Sequence, residues 1–330
     1  MTVNRKDQDF KGSLSKSKDF EDIISDINKY LYDSYQKRIK KSNLIDFPVI
    51  HIIGAPRSGT TLLHQFLTSS FDIGYINNLI AAFWKVPVYG IELSKKLLNQ
   101  PGYSSSYKSK FGRTENINEP HEFGYFWSYW LNYKDFIQKN KDHEKTIDWH
   151  NLSQTINNMS NSFNKPIAFK SFLMGFHSKK MYNVMPNSIF IFIKRDLISN
   201  VNSVLDFRQK ALGSEERWGS IKPKEYKQFD LFNKYEQVVS QIELLNFAYE
   251  KQLDGIPDSN KFFIDYKDLC LKPNSFIDDL NILFSNYDTL NVKSSLPEGL
   301  NFNYRYDDSN EIEILNAKKN VYKKFNINNS

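Results

Sequence analysis

Pro48-Val-Ile-His-Ile-Ile-Gly-Ala-Pro-Arg-Ser-Gly-Thr-Thr-Leu-Leu-His-Gln-Phe-Leu67 is the stretch that decides the fold. Val49, Ile50, Ile52 and Ile53 make a β-branched run broken only by His51. It is too short for a helix and suits a parallel strand buried on both faces. Gly54 to Gly59 then form a turn, and Leu62, Leu63, Phe66 and Leu67 recur at helical spacing from Thr60 onward. A strand, a tight Gly-bounded turn and a helix N-terminus together make an anion cradle. The free backbone N–H groups and the helix dipole both point at whatever sits over the turn.

The loop residues narrow the anion. A nucleotide-triphosphate loop reads G-x-x-x-x-G-K-[ST], its Lys serving the β/γ-phosphates and its hydroxyl serving Mg²⁺. Gly54 and Gly59 keep that glycine spacing, but Thr60 stands at the Lys position and the cation has moved inside the loop, to Arg57. Such a loop suits a nucleotide with one 5′-phosphoryl group that carries a transferable group. Pro56-Arg-Ser-Gly-Thr-Thr61 resembles the 5′-phosphosulfate loop of the sulfotransferases that use 3′-phosphoadenosine 5′-phosphosulfate (PAPS). Many members have Lys where Arg57 stands; the tyrosine-sulfating and several bacterial and carbohydrate branches have Arg. The resemblance implies that Arg57, Ser58, Gly59, Thr60 and Thr61 bind the cofactor. It also implies PAPS as donor, adenosine 3′,5′-bisphosphate (PAP) as product, and no metal.

Composition sets outer bounds. A chain of 330 residues, 40% apolar and 25% charged, is ordinary globular material with a sizeable core. The formal charge, 44 − 38 = +6, fits an anionic ligand. The lysines are scattered, with no basic stripe of nucleic-acid type, so no nucleic-acid partner is expected. Cys270 is the single cysteine, which excludes an intrachain disulfide and a Cys-based metal cluster and points to a reducing, cytoplasmic compartment. Residues 1–20 lack a signal peptide's apolar core, and no run approaches the roughly 18 apolar residues of a spanning helix. The expectation is a bacterial enzyme without a membrane span, for which peripheral membrane contact is still allowed.

In chain order, residues 1–17 read as a loose arm and Asp19 to Ile39 as a helix, giving an N-terminal segment over 1–47 and one α/β domain over 48–330. A short strand is expected within Asp72 to Leu79, an aromatic and apolar stretch over Ala81 to Leu98 is broken by Pro87, and residues 99–118 read as a long loop. In Asn116-Ile-Asn-Glu-Pro-His-Glu-Phe-Gly-Tyr-Phe-Trp-Ser-Tyr-Trp130, Pro120 suits the first position of a helix and places His121 and Glu122 in its first turn. Phe123, Phe126, Trp127 and Trp130 follow at three- and four-residue spacing. One reading is a capped, buried aromatic helix. The other is an acceptor site, where a carboxylate or imidazole deprotonates a hydroxyl or amine and aromatic faces cover a sugar ring. Glu119, His121 and Glu122 all remain candidates for that base.

Two more strands end in cations. Pro166 to Ser171 is a short strand with Lys170 at its end, followed by a helix that carries His177 and ends near Pro186. Ser188 to Asp196 is an apolar strand ending in Lys194 and Arg195, and a helix from Leu197 to about Ala211 carries Ser199 and Ser203. Arginine offers phosphate a bidentate fork and serine a short hydroxyl donor. The sulfotransferase resemblance implies that Arg195 and Ser203, spaced as in that family, hold the 3′-phosphate. It implies that Lys170 neutralises charge as the sulfuryl group departs. The base His of the phenol- and steroid-sulfating branch is replaced by Phe172, so the base must come from elsewhere. Tyr226 to Leu253 reads as one long helix and Lys261 to Leu269 as a strand entering a helix. The resemblance places Tyr266 near the cofactor, and Arg305, in the tail before a helix over about Glu311 to Phe325, near the 3′-phosphate.

These readings predict an α/β fold with a P-loop-type central parallel sheet flanked by helices on both faces. The expected activity is transfer of a sulfuryl group from PAPS to a hydroxyl or amine of an acceptor, by in-line displacement. The expected partner is a glycan, a glycolipid or another hydroxyl compound. Two rivals are a P-loop kinase or NTPase, which would lack its Lys here, and a non-catalytic nucleotide-binding protein.

Overall fold

Five strands make one sheet in which every neighbouring pair is parallel: β1 (Val49–Ile53), β2 (Gly74–Tyr75), β3 (Ile167–Lys170), β4 (Ser188–Lys194) and β5 (Lys261–Asp265), in the order β2-β3-β1-β4-β5. The structure is a computed structural model that describes residues 17–39, 46–98, 105–229, 231–288, 290 and 302–327. In β1, Ile50 and Ile52 face one core with Ile189, Ile191 and Ile193 of β4, while Val49 and Ile53 face the other with Phe190 and Phe192. Both faces are covered, so the strand needs a continuous apolar run and not an alternating one. Register sets Val49 opposite both Ile167 and Ser188, which aligns the carboxyl ends of the three central strands. From β1 the chain runs towards β2, and from β4 towards β5. The order reverses between β1 and β4, and in an open α/β sheet the ligand crevice lies at the carboxyl ends there.

The helices are α1 (Lys18–Arg38), α2 (Thr60–Ser70), α3 (Pro87–Leu97), α4 (Gly124–Trp130), α5 (Trp149–Phe163), α6 (Phe172–Gly175), α7 (Ser178–Val184), α8 (Leu197–Phe207), α9 (Lys234–Leu253), α10 (Tyr266–Leu271), α11 (Pro273–Phe284) and α12 (Glu311–Phe325). The central parallel sheet with helices around it is the expected architecture. The predicted N-terminal arm lies outside the described residues, apart from Ser17, which caps α1 by accepting from Phe20 N. Asn28 pins α1 to the body, donating to Ala82 O at 2.6 Å and accepting from Lys85 N at 2.6 Å.

Several boundaries differ from the periodicity. Pro120 does not open a helix. It forms an antiparallel bridge with Asn77, and His121 N donates to Ile76 O at 2.7 Å, so Pro120 and His121 pair with the segment after β2. The helix starts only at Gly124, after Phe123 at φ 57°, and His121 and Glu122 lie on the loop that precedes it. The long helix expected from Tyr226 is a 3-10 turn over Tyr226–Phe229 and then α9, begun afresh by the Asn233–Glu236 capping box. The helix expected to reach Ala211 becomes a π turn at Arg208–Leu212. His177 sits between α6 and α7 as a cap residue, buried and bonded to Tyr133 and Glu144. Of the long loop, residues 105–118 are described; a two-residue reversal joins Lys110 to Arg113 through Phe111 (φ 53°) and Gly112 (φ 83°).

Two buried histidines couple this fold to pH. His51 is stacked between Phe169 and Phe190, with no hydrogen-bond partner for either ring nitrogen among the described residues. Burial lowers its pKa to about 3; burial, then the nearby Lys170 charge, does the same to His64. The unfolded chain takes up protons below pH 6.5 that the folded chain refuses. Stability is therefore complete above 6.5 and falls as the pH drops towards 3, by up to about 1.4 kcal/mol per pH unit for each histidine. Thermal unfolding between pH 8 and 4 should show a Tm that declines below 6.5. His51→Phe, which keeps the stack and removes the proton site, should flatten that decline; an unchanged slope would show that His51 is not held neutral.

Candidate active site

A cavity of about 460 Å³ opens at the carboxyl ends of β1, β3 and β4. Its floor is the loop after β1. Arg57 is held at φ 65° and Gly59 at φ 101°, so the loop reverses twice to bring its backbone around to α2. Glycine is required at 59 for a second reason: a Cβ there would lie 2.3 Å from Cδ2 of Tyr266, which packs directly against the turn. Gly59→Ala should destabilise the protein by about 1–2 kcal/mol from the left-handed backbone alone, and displace Tyr266 besides. A fall in Tm together with weakened PAP binding is the expected outcome; an unchanged Tm would contradict the contact. Ser58 does not reach the cavity. Its hydroxyl is buried in the loop, 2.6 Å from where a Gly54 Cβ would stand, and its backbone N donates to Ala55 O.

Positive charge gathers on one side of the floor. Arg195, at the end of β4, donates to Arg57 O at 3.4 Å and stacks its guanidinium 4.9 Å from the Tyr266 ring centroid. Arg57 donates from Nε to Ser203 Oγ at 3.2 Å. Burial first, and then the like charge of Arg195, lowers the Arg57 pKa to about 10, while Asp206 pulls the other way. Arg195 Nε is buried without a hydrogen-bond partner among the described residues. Two guanidiniums brought together, one with an orphaned donor, form a site short of an anion. Arg57, Thr60, Thr61, Arg195 and Tyr266 line the cavity, and Ser203 reaches it through Arg57. Arg305 is exposed in the segment before α12 and is not brought to the cavity wall. That segment is tied to α8 instead, by Asp307 N on Ser199 Oγ at 3.1 Å and by Asn202 on Ser309 O at 2.5 Å.

Lys170 joins the two halves of the site. Four per cent exposed at the end of β3, it donates to Thr61 Oγ1 at 3.0 Å and pairs with Glu122 Oε2 at 3.3 Å. Thr61 donates onward to Gly112 O at 3.3 Å, so the 110–113 reversal sits directly on the loop, with Phe111 beside the Arg57 guanidinium. The three carboxyl-side candidates separate here. Glu119 is 1% exposed and holds the strap that carries this reversal, accepting from Gln65 at 2.8 Å, Ser106 N at 2.7 Å and Ser105 Oγ. His121 accepts at Nδ1 from Phe123 N at 2.8 Å, which places its ring proton on Nε2. Glu122 lines the cavity with its carboxylate beside Lys170.

Two parts of the cavity have no counterpart in the sequence reading. One is the reversal at 110–113; the Gly112 it needs was visible only as a glycine in a loop. The other is the wall at Gly219, Ser220 and Ile221, between the π turn and α9. Gly213, Gly219 and Pro223 marked that region as loop and nothing more.

Comparison with known proteins adds the family. A model of the sulfotransferase family matches residues 48–281, which spans β1 to α11 and so includes every cavity residue described above. Among solved structures, sulfotransferase STF9 from Mycobacterium avium is similar with a TM-score of 0.55 at 9% identity, over 94% of this chain and 85% of that one. STF1 from Mycobacterium tuberculosis H37Rv gives 0.45 at 15% identity, over 79% and 72% of the two chains. A sulfotransferase from Alicyclobacillus acidocaldarius gives 0.41 at 12%, over 86% and 98%. The likeness to STF9 is one of fold. No curated protein matches the sequence. Because the family model spans more than half of the chain, from the strand and loop at the centre of the sheet to α11, this protein belongs to the sulfotransferase family.

Proposed function

We propose that this protein transfers a sulfuryl group from PAPS to a hydroxyl of an acceptor, with Glu122 as general base. The acceptor it suits best is a glycan or glycolipid head group. The observation that carries this reading is Lys170, buried and bonded to the loop through Thr61 on one side and to Glu122 on the other. A single cation thereby joins the donor loop to the one candidate base whose carboxylate faces the cavity.

The residues fit the donor. The orphaned Arg195 Nε and the paired guanidiniums of Arg57 and Arg195 suit a nucleotide with phosphates at both ends. Thr60, Thr61 and the N-terminal amides of α2 would hold the 5′ end, and Arg195 with Ser203 the 3′-phosphate. PAPS, when bound, supplies an electrophilic sulfur and a phosphate leaving group. Glu122 takes the proton of the acceptor hydroxyl. Lys170 and Arg57 face the negative charge that develops at the loop, in a water-poor corner where fixed charges act strongly. Phe111, Phe136, Phe172 and Phe207 present rings to the remaining cavity, which suits the apolar faces of a sugar or an aglycone.

The test is a thermal-shift titration with PAP set against ATP–Mg²⁺. A ligand that binds only the native state adds about 2.7 kcal/mol at a hundredfold excess over Kd. Stabilisation by PAP, lost in Arg195→Ala, is the expected result. Stabilisation by ATP–Mg²⁺ alone would overturn the donor assignment in favour of a kinase-type nucleotide site.

A further inference from the structure

The sheet ends differently at its two edges. β2 is two residues long, too short to template another strand, whereas β5 runs five residues, Lys261-Phe-Phe-Ile-Asp265, along the other edge. It pairs with β4 on one side, and among the described residues no strand lies on its outer side. Alternate residues of such an edge turn N–H and C=O outward, a ready template for another chain. Natural edges are commonly guarded by a charge or a proline along the strand. β5 instead sets Phe263 at its centre, 51% exposed, with its ring 5.8 Å from that of Phe192.

Side chains alternate along the strand. Phe262 and Ile264 turn to the core that holds Phe276. Lys261, Phe263 and Asp265 share the other face: a cation, an aromatic ring and an anion in order. Laid antiparallel on a copy of itself about a two-fold axis at Phe263, this strand is self-complementary. Lys261 of one copy stands opposite Asp265 of the other, Phe262 opposite Ile264, and Phe263 opposite Phe263. Opposite charges, aromatic with β-branched, and aromatic with aromatic are all stabilising pairs across strands. A slip of two residues either way sets Lys261 or Asp265 opposite Phe263 and separates the charges. A slip of one residue exchanges the two faces. One register satisfies charge, face and ring together.

We infer that β5 is a homodimer interface, through which two copies of this chain join their sheets edge to edge about a two-fold axis. Such an interface is isologous, so one strand supplies both halves of it. Both charges can serve the second copy. Lys261 pairs with Asp258 at 3.2 Å, but that aspartate is 95% exposed, and a surface pair of this kind holds weakly. Asp265 is exposed and accepts from Lys267 N at 2.7 Å through Oδ1, which leaves its second carboxylate oxygen for the lysine opposite. Antiparallel pairing also turns the carboxyl ends of the two sheets apart. The two cavities then open at opposite ends of the dimer, and neither copy covers the other's site. The association needs neither donor nor acceptor.

Sedimentation equilibrium of the protein measures this association. The wild type should rise with concentration from the mass of one chain towards that of two. Phe263→Lys sets like charges on the axis at a half-exposed position, and should sediment as one chain with its circular dichroism unchanged. Lys261→Glu should raise the dimer Kd by roughly 10–100-fold, because both cross-strand pairs turn repulsive. Asp265→Lys should do the same. Mixing these two variants sets opposite charges across the axis again, so a heterodimer should form where neither variant dimerises alone. If loss of the α10 cap unfolds Asp265→Lys, the other two variants decide the matter. A wild type that sediments as one chain at every concentration at which it stays soluble would overturn the inference. A dimer that persists in both Phe263→Lys and Lys261→Glu would overturn it as well, by placing the interface elsewhere. So would a mixture of the two folded charge variants that yields no heterodimer.

Discussion

Lys170→Met is expected to lower kcat by roughly 10²–10³-fold, the effect of removing one fixed stabiliser of developing charge. The side chain is 4% exposed, and its ammonium is the point where Thr61 and Glu122 meet. Methionine keeps the apolar stem and approximate volume, so stability should change by less than about 1.5 kcal/mol. Glu122, with 35% of its side chain exposed, can turn to water once its partner is gone. The expected pattern is lost turnover, a retained Tm and a retained PAP shift, measured by single-turnover sulfation and thermal unfolding on one preparation. Arg57 and Arg195 hold the nucleotide in this scheme, which is why binding should survive. A variant that keeps more than a tenth of its turnover would take Lys170 out of the chemistry.

Replacing the base should be comparably severe. Glu122→Gln preserves the volume and a hydrogen-bond acceptor for Lys170 but cannot take the acceptor's proton, and general-base catalysis contributes roughly 10²–10⁴-fold. The informative control is Glu119→Gln, three residues away. Glu119 is buried among the donors Gln65, Ser105 and Ser106, and the change there sets an amide N–H₂ against two of them. That should lower stability by about 1–3 kcal/mol while the protein that remains folded turns over far better than Glu122→Gln. The opposite pattern, an inactive Glu119→Gln beside an active Glu122→Gln, would move the base to position 119. His121→Asn separates the remaining candidate: with the imidazole proton on Nε2, its loss should weaken acceptor binding at most and leave kcat within about tenfold, below the roughly 10²–10⁴-fold of an acid–base contribution.

The helix start at 124 shows where local pattern stops being informative. Pro120 followed by aromatic residues at helical spacing is a sound N-terminal signal in isolation. Bridging to Asn77 and the His121 N to Ile76 O bond outweigh it, and both depend on a segment more than forty residues earlier. The same applies to the break before α9, where the Asn233–Glu236 capping box was present in the sequence but was overrun by apolar periodicity from Tyr226. Strand ends fared better. Arg195 and Lys170 were placed as strand-end cations because a short apolar run ending in charge can finish only at the rim of a covered parallel sheet.

What the sequence determined by itself was the central strand, its loop and the fold class. A β-branched run must be buried on both faces, and Gly59 is the residue that φ 101° allows. Both are local constraints, legible in consecutive residues. Only the tertiary structure decided which carboxylate faces the cavity, that Lys170 bonds Thr61 across 109 positions, and that Gln241 grips the carbonyls around Ser220. Those contacts join residues whose separation carries no periodicity. They are set by how helices and straps pack over the sheet, and packing is a property of the whole chain.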